Sequence, residues 1–409
     1  MKKIRSTRMT ILVLNCGSSS VKYQVINGST RQWLVKGSIS RIGEESSEIW
    51  QQRNSGGQVK FYKVIKNHEQ AIAQILDGLL NKATGVIHDV SELFAVGHRV
   101  VHGGEYFSQP TLITDEVIRR IEECSQLAPL HNPPQLEGIL ACRKLLPAIP
   151  QVAVFDTAFH QTMPKTAYLY GIPYKYYERY KIRRYGFHGT SHFYVAHRAA
   201  KLVGKPIDTL KIITCHLGNG CSMAAVKSGK CIDTSMGFTP LEGLLMGTRA
   251  GDMDPSVAFF LMRKENLSIE QIDNLLNKES GLKGLSENSN NMLKILEGIE
   301  QGDQKRQLAF DVFCYRIKKY IGAYAAAMGG LDVLVFTAGI GENSALVRSK
   351  SCEGLGFLGI ELDPYENAHA KAEEKRISKK DAPVSTWVIP TNEELVIAEA
   401  TLNVVYSPK

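Results

Sequence analysis

Short apolar runs of strand length alternate with segments of helical period through most of the chain, a pattern typical of α/β proteins. The runs predict strands over residues 11–14, 21–26 and 151–155. Helical periodicity predicts helices at about residues 68–80 and 115–127. A third helix is expected to begin at Asn132, which would cap it, with Pro133 in the first turn.

The second half of the chain repeats this pattern. Strands are predicted over residues 211–215 and 222–226, and a glycine-containing segment separates them as it does in the first half. Ile11, Gly17 and Val25 recur as identical residues 201 positions later. We therefore expect two lobes of related topology, with a ligand bound between them.

Three later elements follow the same scheme. Ser268 and Gln271 have the spacing of a capping box at the start of a helix. A buried strand is predicted over residues 331–336, and it leads directly into a glycine-rich segment. The last helix is expected to begin near Thr391, with Glu394 as its capping-box partner.

The composition narrows the class of protein without identifying it. With 44% hydrophobic and 22% charged residues, the chain is neither disordered nor of low complexity. Its 409 residues are more than one compact core usually holds, so two domains are expected. The net charge of +8 is compatible with anionic small molecules and too diffuse to indicate a nucleic-acid binder.

The cysteines and the N-terminal segment bear on the cellular compartment of the protein. The eight cysteines include no CxxC pair, and we interpret them as reduced thiols in the cytosol rather than as disulfides. The apolar run at 11–14, which follows a basic N-terminus, is too short for a signal peptide, and no run is long enough to span a membrane. The sequence therefore predicts a soluble cytoplasmic protein.

Three glycine-rich segments each follow a predicted strand, and they suggest phosphate binding. They are NCGSSS (15–20), HLGNG (216–220) and GIGEN (339–343). Small residues let backbone N–H groups approach an anion, and α/β proteins place ligands at the carboxyl ends of strands. None of the three is a Walker motif or GxGxxG, so a polyphosphate is expected rather than a dinucleotide. The simpler alternative is three tight turns.

Four basic or polar side chains stand beside predicted strand ends or helix starts, where they would strengthen an anion site. They are Arg99, His131, His188 and Arg249. Arg99 is expected just after a strand, and His188 just before a helix capped by Thr190 or Ser191. The alternatives are an ordinary surface charge for each arginine and a hydrogen-bonded core residue for each histidine.

Two acidic residues suggest a metal ion. Asp156 ends a buried strand, and Glu393 stands in PTNEE, next to Glu394, which is expected to serve as a helix cap. Carboxylates repel a polyphosphate unless a cation lies between them, so we expect magnesium. The alternative is that the two glutamates only favour the helix dipole.

The segment 174–185 interleaves five tyrosines with five basic residues. Such a segment could stack on single-stranded nucleic acid. We favour instead a helix or loop with an aromatic inner face and a solvated basic face.

Together these motifs resemble the acetate kinase family, short-chain carboxylate kinases of the acetate and sugar kinase/Hsp70/actin superfamily. The resemblance covers the chain from Ile11 to Glu394. It rests on motifs in family order: NCGSSSVKYQV, HRVVHGG, PLHNPP, FDTAFHQTMP, YGFHGTSH, HLGNG, DTSMGFTPLEGLLMGTRAGDMDP, FTAGIGENS and PTNEE. It implies an α/β fold of two related ribonuclease H-like (actin-like ATPase) lobes with an active-site cleft between them. The N-terminal lobe would comprise 1–156 plus 391–409, and the C-terminal lobe, 157–390, would bind nucleotide and form a dimer.

The resemblance also implies site residues. Asn15 and Glu393 would hold Mg²⁺, or Mn²⁺ in its place, and Lys22 would approach the nucleotide phosphates. ATP would be cradled by His216, Leu217, Gly218, Asn219, Gly220, Gly339, Ile340, Gly341, Glu342 and Asn343. Arg99 and Arg249 would bind the carboxylate substrate and the phosphoryl group in transfer. His188 would stabilise the transition state, and Asp156 would be the catalytic acid–base or an orienting residue. His131 would be an auxiliary active-site residue, and Val101 would line the acyl pocket.

The function so implied is reversible in-line transfer of a phosphoryl group from ATP to acetate by a homodimer that binds neither nucleic acid nor membrane. Valine at position 101 favours acetate, and propionate or another short-chain carboxylate is the alternative substrate. A remoter alternative is an actin-like or chaperone-like ATPase. The chain departs from the family at Asn291, Met292 and Leu293, where Asp-x-Arg is usual. The resemblance therefore leaves open how adenosine binds and whether ATP, GTP or another nucleotide is the donor, while the phosphoryl-transfer residues are unaffected.

Overall fold

The computed structural model describes residues 9–406. The residues outside this range, 1–8 and 407–409, include most of the basic N-terminal segment considered above. The chain divides into two compact units: Met1–Ala158 with Asn392–Lys409, called unit 1, and Phe159–Thr391, called unit 2. Within residues 9–406, no helix combines the length and the apolarity that crossing a bilayer requires.

Unit 1 is built on an eight-stranded sheet. Its strands are β1 (Thr10–Gly17), β2 (Ser20–Asn27), β3 (Trp33–Ser40), β4 (Ser47–Arg53), β5 (Gln58–Lys63), β6 (Leu93–Val100), β7 (Thr111–Leu112) and β8 (Gln151–Phe155). Their spatial order is β5-β4-β3-β2-β1-β6-β8-β7. Strands β1 to β5 form an antiparallel meander, and β6 and β8 run parallel to β1.

The helices of unit 1 cover both faces of this sheet. They are α1 (His68–Leu80), α2 (Asp115–Glu123), α3 (Asn132–Leu145) and the C-terminal helix (Glu393–Tyr406), with short 3-10 turns at Val90–Glu92 and Cys124–Gln126. Side chains alternate along a strand, so Leu12 and Leu14 of β1 join the core formed with α1 and α3. Ile11 and Val13 join the core formed with the C-terminal helix. This central strand is therefore buried on both faces.

Unit 2 is built on a six-stranded sheet. Its strands are β9 (Lys211–Leu217), β10 (Cys221–Lys227), β11 (Lys230–Thr234), β12 (Val333–Thr337), β13 (Lys375–Arg376) and β14 (Ser385–Val388). Their spatial order is β11-β10-β9-β12-β14-β13. Strands β9, β10 and β11 are antiparallel neighbours, and β12 and β14 run parallel to β9.

Unit 2 contains most of the helices in residues 9–406. They are α4 (Lys165–Tyr168), α5 (Lys175–Tyr180), α6 (Gly189–Val203), α7 (Ser256–Glu265), α8 (Ile269–Asn274), α9 (Gly281–Ser286), α10 (Met292–Glu300), α11 (Gln304–Met328), α12 (Ala338–Asn343), α13 (Ala345–Cys352) and α14 (Pro364–His369). A π-helical turn spans Leu275–Glu279, and 3-10 turns span Ala158–Thr162, Ile207–Thr209 and Gly356–Leu358. Helices α6 and α11 both pack on β9.

The two sheets share one core topology, which confirms the α/β prediction and the predicted repeat. In each, a three-stranded antiparallel meander begins with the central strand, and two later strands extend the sheet in parallel on its other side. This is the strand order expected of ribonuclease H-like lobes. The first hairpin of each sheet, β1–β2 or β9–β10, carries one of the glycine-containing segments at its turn.

Predictions of helix ends had mixed outcomes. The capping box of Ser268 and Gln271 is confirmed at the start of α8. The box of Thr391 and Glu394 is wrong, because the Oδ1 atom of Asn392 caps the C-terminal helix by accepting from the Leu395 N–H at 3.1 Å. The prediction of an Asn132 cap is also wrong. Its side chain is drawn instead to the backbone of His102, with bonds of 3.1 and 2.9 Å to its N–H and carbonyl.

Candidate active site

In unit 1, strands β6 and β8 bring a cation and an anion to the same edge of the sheet. Arg99 lies within β6, one residue before its end and not after the strand as expected, and Asp156 directly follows β8. The Arg99 guanidinium donates through Nε and Nη2 to the Asp156 carboxylate at N–O distances from 2.5 to 3.2 Å. The half-buried Arg99 thus forms a bidentate ion pair with the Asp156 carboxylate, which is 1% exposed.

Asn15 and Glu393 extend this pair into a group of four residues, called the Arg99 cluster. The Asn15 Oδ1 atom accepts from Arg99 Nη1 at 3.4 Å, and a Glu393 carboxylate oxygen lies 3.9 Å from Arg99 Nε. Burial raises the pKa of Glu393 to about 7, and Asp156 adds to the effect of burial while Arg99 and Lys22 oppose it. Burial disfavours the charge on Arg99, but the carboxylates of Asp156 and Glu393 raise its pKa above the ordinary value. One cation thus faces two carboxylates.

The donors of the Arg99 cluster suit a hard cation. Asn15 and Glu393 offer an amide and a carboxylate oxygen, which Mg²⁺ prefers, whereas the Asp156 carboxylate is already engaged by Arg99. Within residues 9–406, no group of three or more His, Cys, Asp or Glu side chains is placed to hold a metal ion. A magnesium ion here would therefore depend on one or two protein oxygens together with phosphate oxygens and water. Lys22, opposite Asn15 in the β1–β2 ladder, is exposed.

The two other predicted residues of unit 1 stand on segments that are hydrogen-bonded to each other. Val101 is buried just beyond β6, and its N–H donates to the Gln135 side chain of α3 at 2.8 Å. His131 precedes α3, half-buried at the N-cap position. Asn132 bonds the backbone of His102 as described above. Gln135 and Asn132 were missed as contributors, although Asn132 belongs to the PLHNPP motif.

In unit 2, His188 occupies the N-cap of α6 in a left-handed conformation, with φ 55°. Neither Thr190 nor Ser191 caps this helix, so that prediction is wrong, and the Ser191 Oγ lies instead 2.8 Å from Nδ1 of His216. The chain reaches His188 through Gly186, which has φ +75°. A Cβ there would lie 2.3 Å from the Thr234 side chain, so this approach requires glycine.

The half-buried His188 belongs to a group of imidazoles and hydroxyls whose other members are buried. This group is called the histidine cluster: His188, His192, His216, Ser191, Thr214 and Ser222. The rings of His188 and His216 are stacked with centroids 4.1 Å apart. Burial, and then the neighbouring His160 and His216, lower the pKa of His192 well below its ordinary value. His192 is therefore neutral near pH 7.

Arg249 lies beside this cluster. A Cβ on Gly220 would lie 3.4 Å from Arg249 Nη1 and 3.6 Å from His188 Cε1, so both side chains border the same glycine. Arg249 Nη1 reaches the Pro240 carbonyl at 3.4 Å, and no carboxylate within residues 9–406 forms an ion pair with it. Burial lowers the pKa of Arg249. A half-buried guanidinium without a carboxylate is a suitable ligand for an anion.

The loop that carries Arg249 is held by an ion pair that sequence reasoning missed. Arg184 Nη2 lies 2.5 Å from the Glu242 carboxylate, and Nη1 donates to the carbonyls of Thr234 and Ser235 at 2.7 and 3.0 Å. The Tyr170 hydroxyl donates to the same carboxylate. Because Arg184 is turned inward in this way, the expectation of a solvated basic face for 174–185 is wrong at this position.

The rest of that segment meets the expectation in part, because its other three basic residues are exposed and Tyr185 is buried. Tyr176 and Tyr180 of α5 and Tyr174 just before it are partly exposed instead of buried. Arg183 is buried, with its guanidinium carbon 3.6 Å from the centroid of the Tyr168 ring. Two of the five basic residues are therefore structural.

The two glycine-rich segments of unit 2 approach each other. HLGNG closes the β9–β10 hairpin, whereas GIGEN is not a turn, because residues 338–343 form helix α12. A Cβ on Gly218 would contact the Ala338 side chain at 3.9 Å. Gly339 borders open space, but the Glu342 carboxylate accepts from the backbone of Ala338 at 2.7 Å and so has a structural task.

The remaining residues of these segments divide between surface and interior. Ile340 is half-buried, and the Asn343 side chain is exposed and donates to the Gly339 carbonyl at 2.9 Å. Gly341 packs against the end of β9, where a Cβ would lie 3.7 Å from Leu217. Asn219 accepts from the Asn290 side chain at 3.1 Å.

Residues 291–293, where the resemblance leads us to expect Asp-x-Arg, directly follow Asn290. The Asn291 Oδ1 atom accepts from the Leu293 N–H at 2.9 Å and caps α10. Met292 is buried, and Leu293 is 66% exposed. The chain thus caps the helix with asparagine and presents an apolar side chain at 293, where the resemblance led us to expect arginine.

Comparisons with known proteins agree with this architecture. The model of the Acetokinase family matches residues 10–399. A protein of Thermoanaerobacterium thermosaccharolyticum named acetate kinase is 57% identical over 402 residues, which are 98% of this chain and 100% of that protein. An acetate kinase of Dictyoglomus turgidum is 56% identical over 97% of this chain and 98% of that protein.

Solved structures give the same result. The crystal structure of Porphyromonas gingivalis acetate kinase has a TM-score of 0.93 at 48% identity and covers 97% of this chain and 99% of its own. A propionate kinase from Francisella tularensis has a TM-score of 0.90 at 42% identity, with the same coverage of both chains. The family match, these identities and the shared sheets lead to one conclusion: this chain belongs to the acetokinase family.

Proposed function

We propose that this chain transfers the γ-phosphoryl group of ATP to acetate and that the reaction also runs in reverse to make ATP. A carboxylate oxygen of acetate attacks the γ-phosphorus in line, and the bond to the β–γ bridging oxygen breaks. Acetyl phosphate forms, and ADP leaves with the electron pair. The protein contributes positioning and charge stabilisation, because phosphoryl transfer needs little covalent help.

The observation that most supports this proposal is that, in a chain of the acetokinase family, Arg99 near the end of a parallel strand is hydrogen-bonded to the buried Asp156 carboxylate. Fixed by Asp156, Arg99 is preorganised to bind a carboxylate or phosphoryl oxygen without losing side-chain freedom. Arg249 offers a second guanidinium with no acidic partner within the described residues. We propose that both act on the group in transfer, with His188 donating to its oxygens.

We propose that magnesium is held by Asn15 and Glu393, whose oxygen atoms border Arg99. Bound there with the nucleotide, it would neutralise charge on the phosphate oxygens. Lys22 would attract the same phosphates from the β1–β2 hairpin. The segments 216–220 and 339–343 would bind ATP through their backbone N–H groups.

An acetate-dependent hydroxamate assay tests the proposal. The wild-type chain should form acetyl hydroxamate only with acetate, ATP and Mg²⁺ together. We expect Arg99→Ala and Arg249→Ala each to lower turnover by about a hundredfold or more, because each removes a preorganised donor to developing charge. Arg120→Ala, which removes an arginine of exposed ion pairs, is the matched control. Near-normal activity of either active-site variant would remove that arginine from the mechanism.

Propionate is the second candidate substrate, because a propionate kinase is among the similar structures. We propose that the buried Val101 limits the acyl pocket and favours acetate. One methylene is worth about 1–3 kcal/mol in such a pocket, so the preference should be about 10- to 200-fold in kcat/KM. Val101→Ala should shift the ratio toward propionate. A wild-type preference for propionate would overturn the choice of acetate.

We also propose a cytoplasmic homodimer joined through unit 2. No residue of α7 is buried, and Phe259 and Phe260 are 57% and 53% exposed. Such apolar surface is usually covered by a partner. Phe259→Asp with Phe260→Asp should therefore halve the mass measured by light scattering.

The eight cysteines are buried and form no disulfides, which suits a reducing compartment such as the cytoplasm. We also expect no salt-dependent binding of nucleic acid.

A further inference from the structure

Four side chains of the histidine cluster form a continuous chain of short hydrogen bonds. The Thr214 hydroxyl lies 2.7 Å from His192 Nδ1, and the opposite nitrogen, Nε2, lies 2.8 Å from the Ser222 hydroxyl. The same hydroxyl lies 2.8 Å from His188 Nδ1. Thr214, His192 and Ser222 are all fully buried. Every contact in this chain joins a hydroxyl to an imidazole, so every link can carry its proton in either direction.

The three hydrogen bonds of this chain can run in two directions. In the first, Thr214 donates to His192, His192 donates to Ser222, and Ser222 donates to His188 Nδ1. His188 is then neutral and carries its N–H at Nε2. In the second, all three links are reversed, and His188 donates from Nδ1 while His192 donates to Thr214. Here His188 can carry a proton on both nitrogens while all three contacts of the chain remain hydrogen bonds.

We propose that Ser222 is a positioning residue for His188, and that the Thr214–His192–Ser222 chain lets His188 keep an N–H at Nε2 both as a neutral ring and as a cation. The inference rests on the proposed function, in which His188 donates to the transferred phosphoryl group. Passing from the first arrangement to the second leaves the number of protons on Thr214, His192 and Ser222 unchanged. The one additional proton, taken from solvent, resides on His188.

Other titratable side chains also lie beside His188 and act on its charge. His216 stacks on its ring, and Arg249 borders the same glycine, so both disfavour a positive charge on His188. His160 lies 5.7 Å from His192, ring to ring. Against these neighbours, a hydrogen-bonded partner at Nδ1 decides whether the imidazolium is tolerated.

Thr214→Val separates this proposal from a purely structural role. The substitution preserves the shape of the side chain and removes a hydroxyl that contacts His192. His192 should then donate only to Ser222, because an unbonded buried N–H is more costly than an unbonded lone pair. Ser222 must in turn donate to His188 Nδ1, which opposes protonation there. We expect the His188 titration, followed by ¹⁵N NMR of histidine-labelled full-length chain, to move down by about one pH unit.

Ser222→Ala tests the positioning itself. It should lower kcat by about 10- to 100-fold with little change in KM, because an imidazole that is no longer held loses its alignment. Ser235→Ala is the matched control, since the Ser235 hydroxyl is buried nearby but bonds only the Met223 N–H at 2.8 Å. The inference fails if Thr214→Val leaves the His188 titration unchanged, or if Ser222→Ala retains the kcat of the control. Full activity of His188→Gln would instead refute the proposed role of His188, whatever the titration shows.

Discussion

The β1–β2 hairpin of unit 1 and the β9–β10 hairpin of unit 2 occupy the same place in two sheets of the same core topology, yet their surroundings differ in chemistry. Near the first, Asn15 belongs to a cluster held by charge, in which Arg99 binds the buried Asp156. Near the second, His216 and Ser222 belong to a cluster of imidazoles and hydroxyls. A shared backbone arrangement therefore fixes where a site can form and leaves its electrostatics to the side chains.

The difference has a physical consequence for the two arginines. Arg99 compensates buried carboxylates, so its charge contributes to folding as well as to the proposed reaction. Arg249 compensates none within residues 9–406, and burial disfavours its charge. Unit 2 thus retains a cation whose favourable partner would be a bound anion. The charge of Arg99 therefore contributes both to stability and to the proposed reaction, whereas the charge of Arg249 contributes to the proposed reaction alone.

The largest expected effect contrasts the stabilities of Arg99→Ala and Arg249→Ala. Removing Arg99 leaves the buried Asp156 carboxylate uncompensated, which should cost about 3–5 kcal/mol in free energy of unfolding. Removing Arg249 breaks no ion pair, so the change should stay within about 1 kcal/mol. Urea unfolding at pH 7 measures both. Equal losses in the two variants would show that the contrast between the two clusters is wrong.

A second prediction sharpens the account of unit 1. Glu393→Gln removes a carboxylate that burial disfavours, so the metal-free protein should not be destabilised. The proposed magnesium affinity should fall by about 10- to 100-fold, because an amide replaces a charged ligand. Calorimetric titration of Mg²⁺ with ADP present measures the affinity. Glu394→Gln, at the neighbouring position on the same helix, is the control, and equal affinities in the two variants would exclude Glu393 as a ligand.

The sequence predicted strands better than it predicted polar contacts. The hairpins at 11–26 and 211–226 were recognised because apolar runs report burial directly. The same apolar runs led us to expect Arg99 and Asp156 each at the end of a strand, but they did not predict that the two strands are neighbours or that the two side chains pair. The hydrophobic pattern of the sequence could not predict that Ser222 contacts His188, because the contact joins a residue of β10 to the residue before α6.

Helix ends were predicted poorly for a related reason. Asn132 has the local chemistry of a cap, but its amide satisfies the buried backbone of His102, a tertiary partner that local sequence does not reveal. The segment 339–343 reads as a glycine turn, yet it folds as the helix α12. There the Glu342 carboxylate accepts the first backbone N–H, at Ala338. In both places a specific hydrogen bond, not the local preference of the sequence for a cap or a turn, determines the structure.

The smallest predicted effect concerns the response of unit 2 to acid. Burial lowers the pKa of His192 below the value of about 6.5 that it has in the unfolded chain. Below pH 6.5 the unfolded state therefore binds a proton that the native state does not, and stability falls as the pH falls. The slope from this group should reach about 1.4 kcal/mol per pH unit.

His192→Gln removes that titration, so the variant should lose less stability between pH 6.5 and 5 than the wild type does, even if it is less stable at pH 7. His369→Gln, which replaces an exposed histidine of unit 2, should keep the wild-type slope. The unfolding free energy measured by urea at several pH values decides between them. An unchanged slope in His192→Gln would mean that His192 is already protonated in the native state, and the histidine cluster would then be charged like the Arg99 cluster instead of contrasting with it.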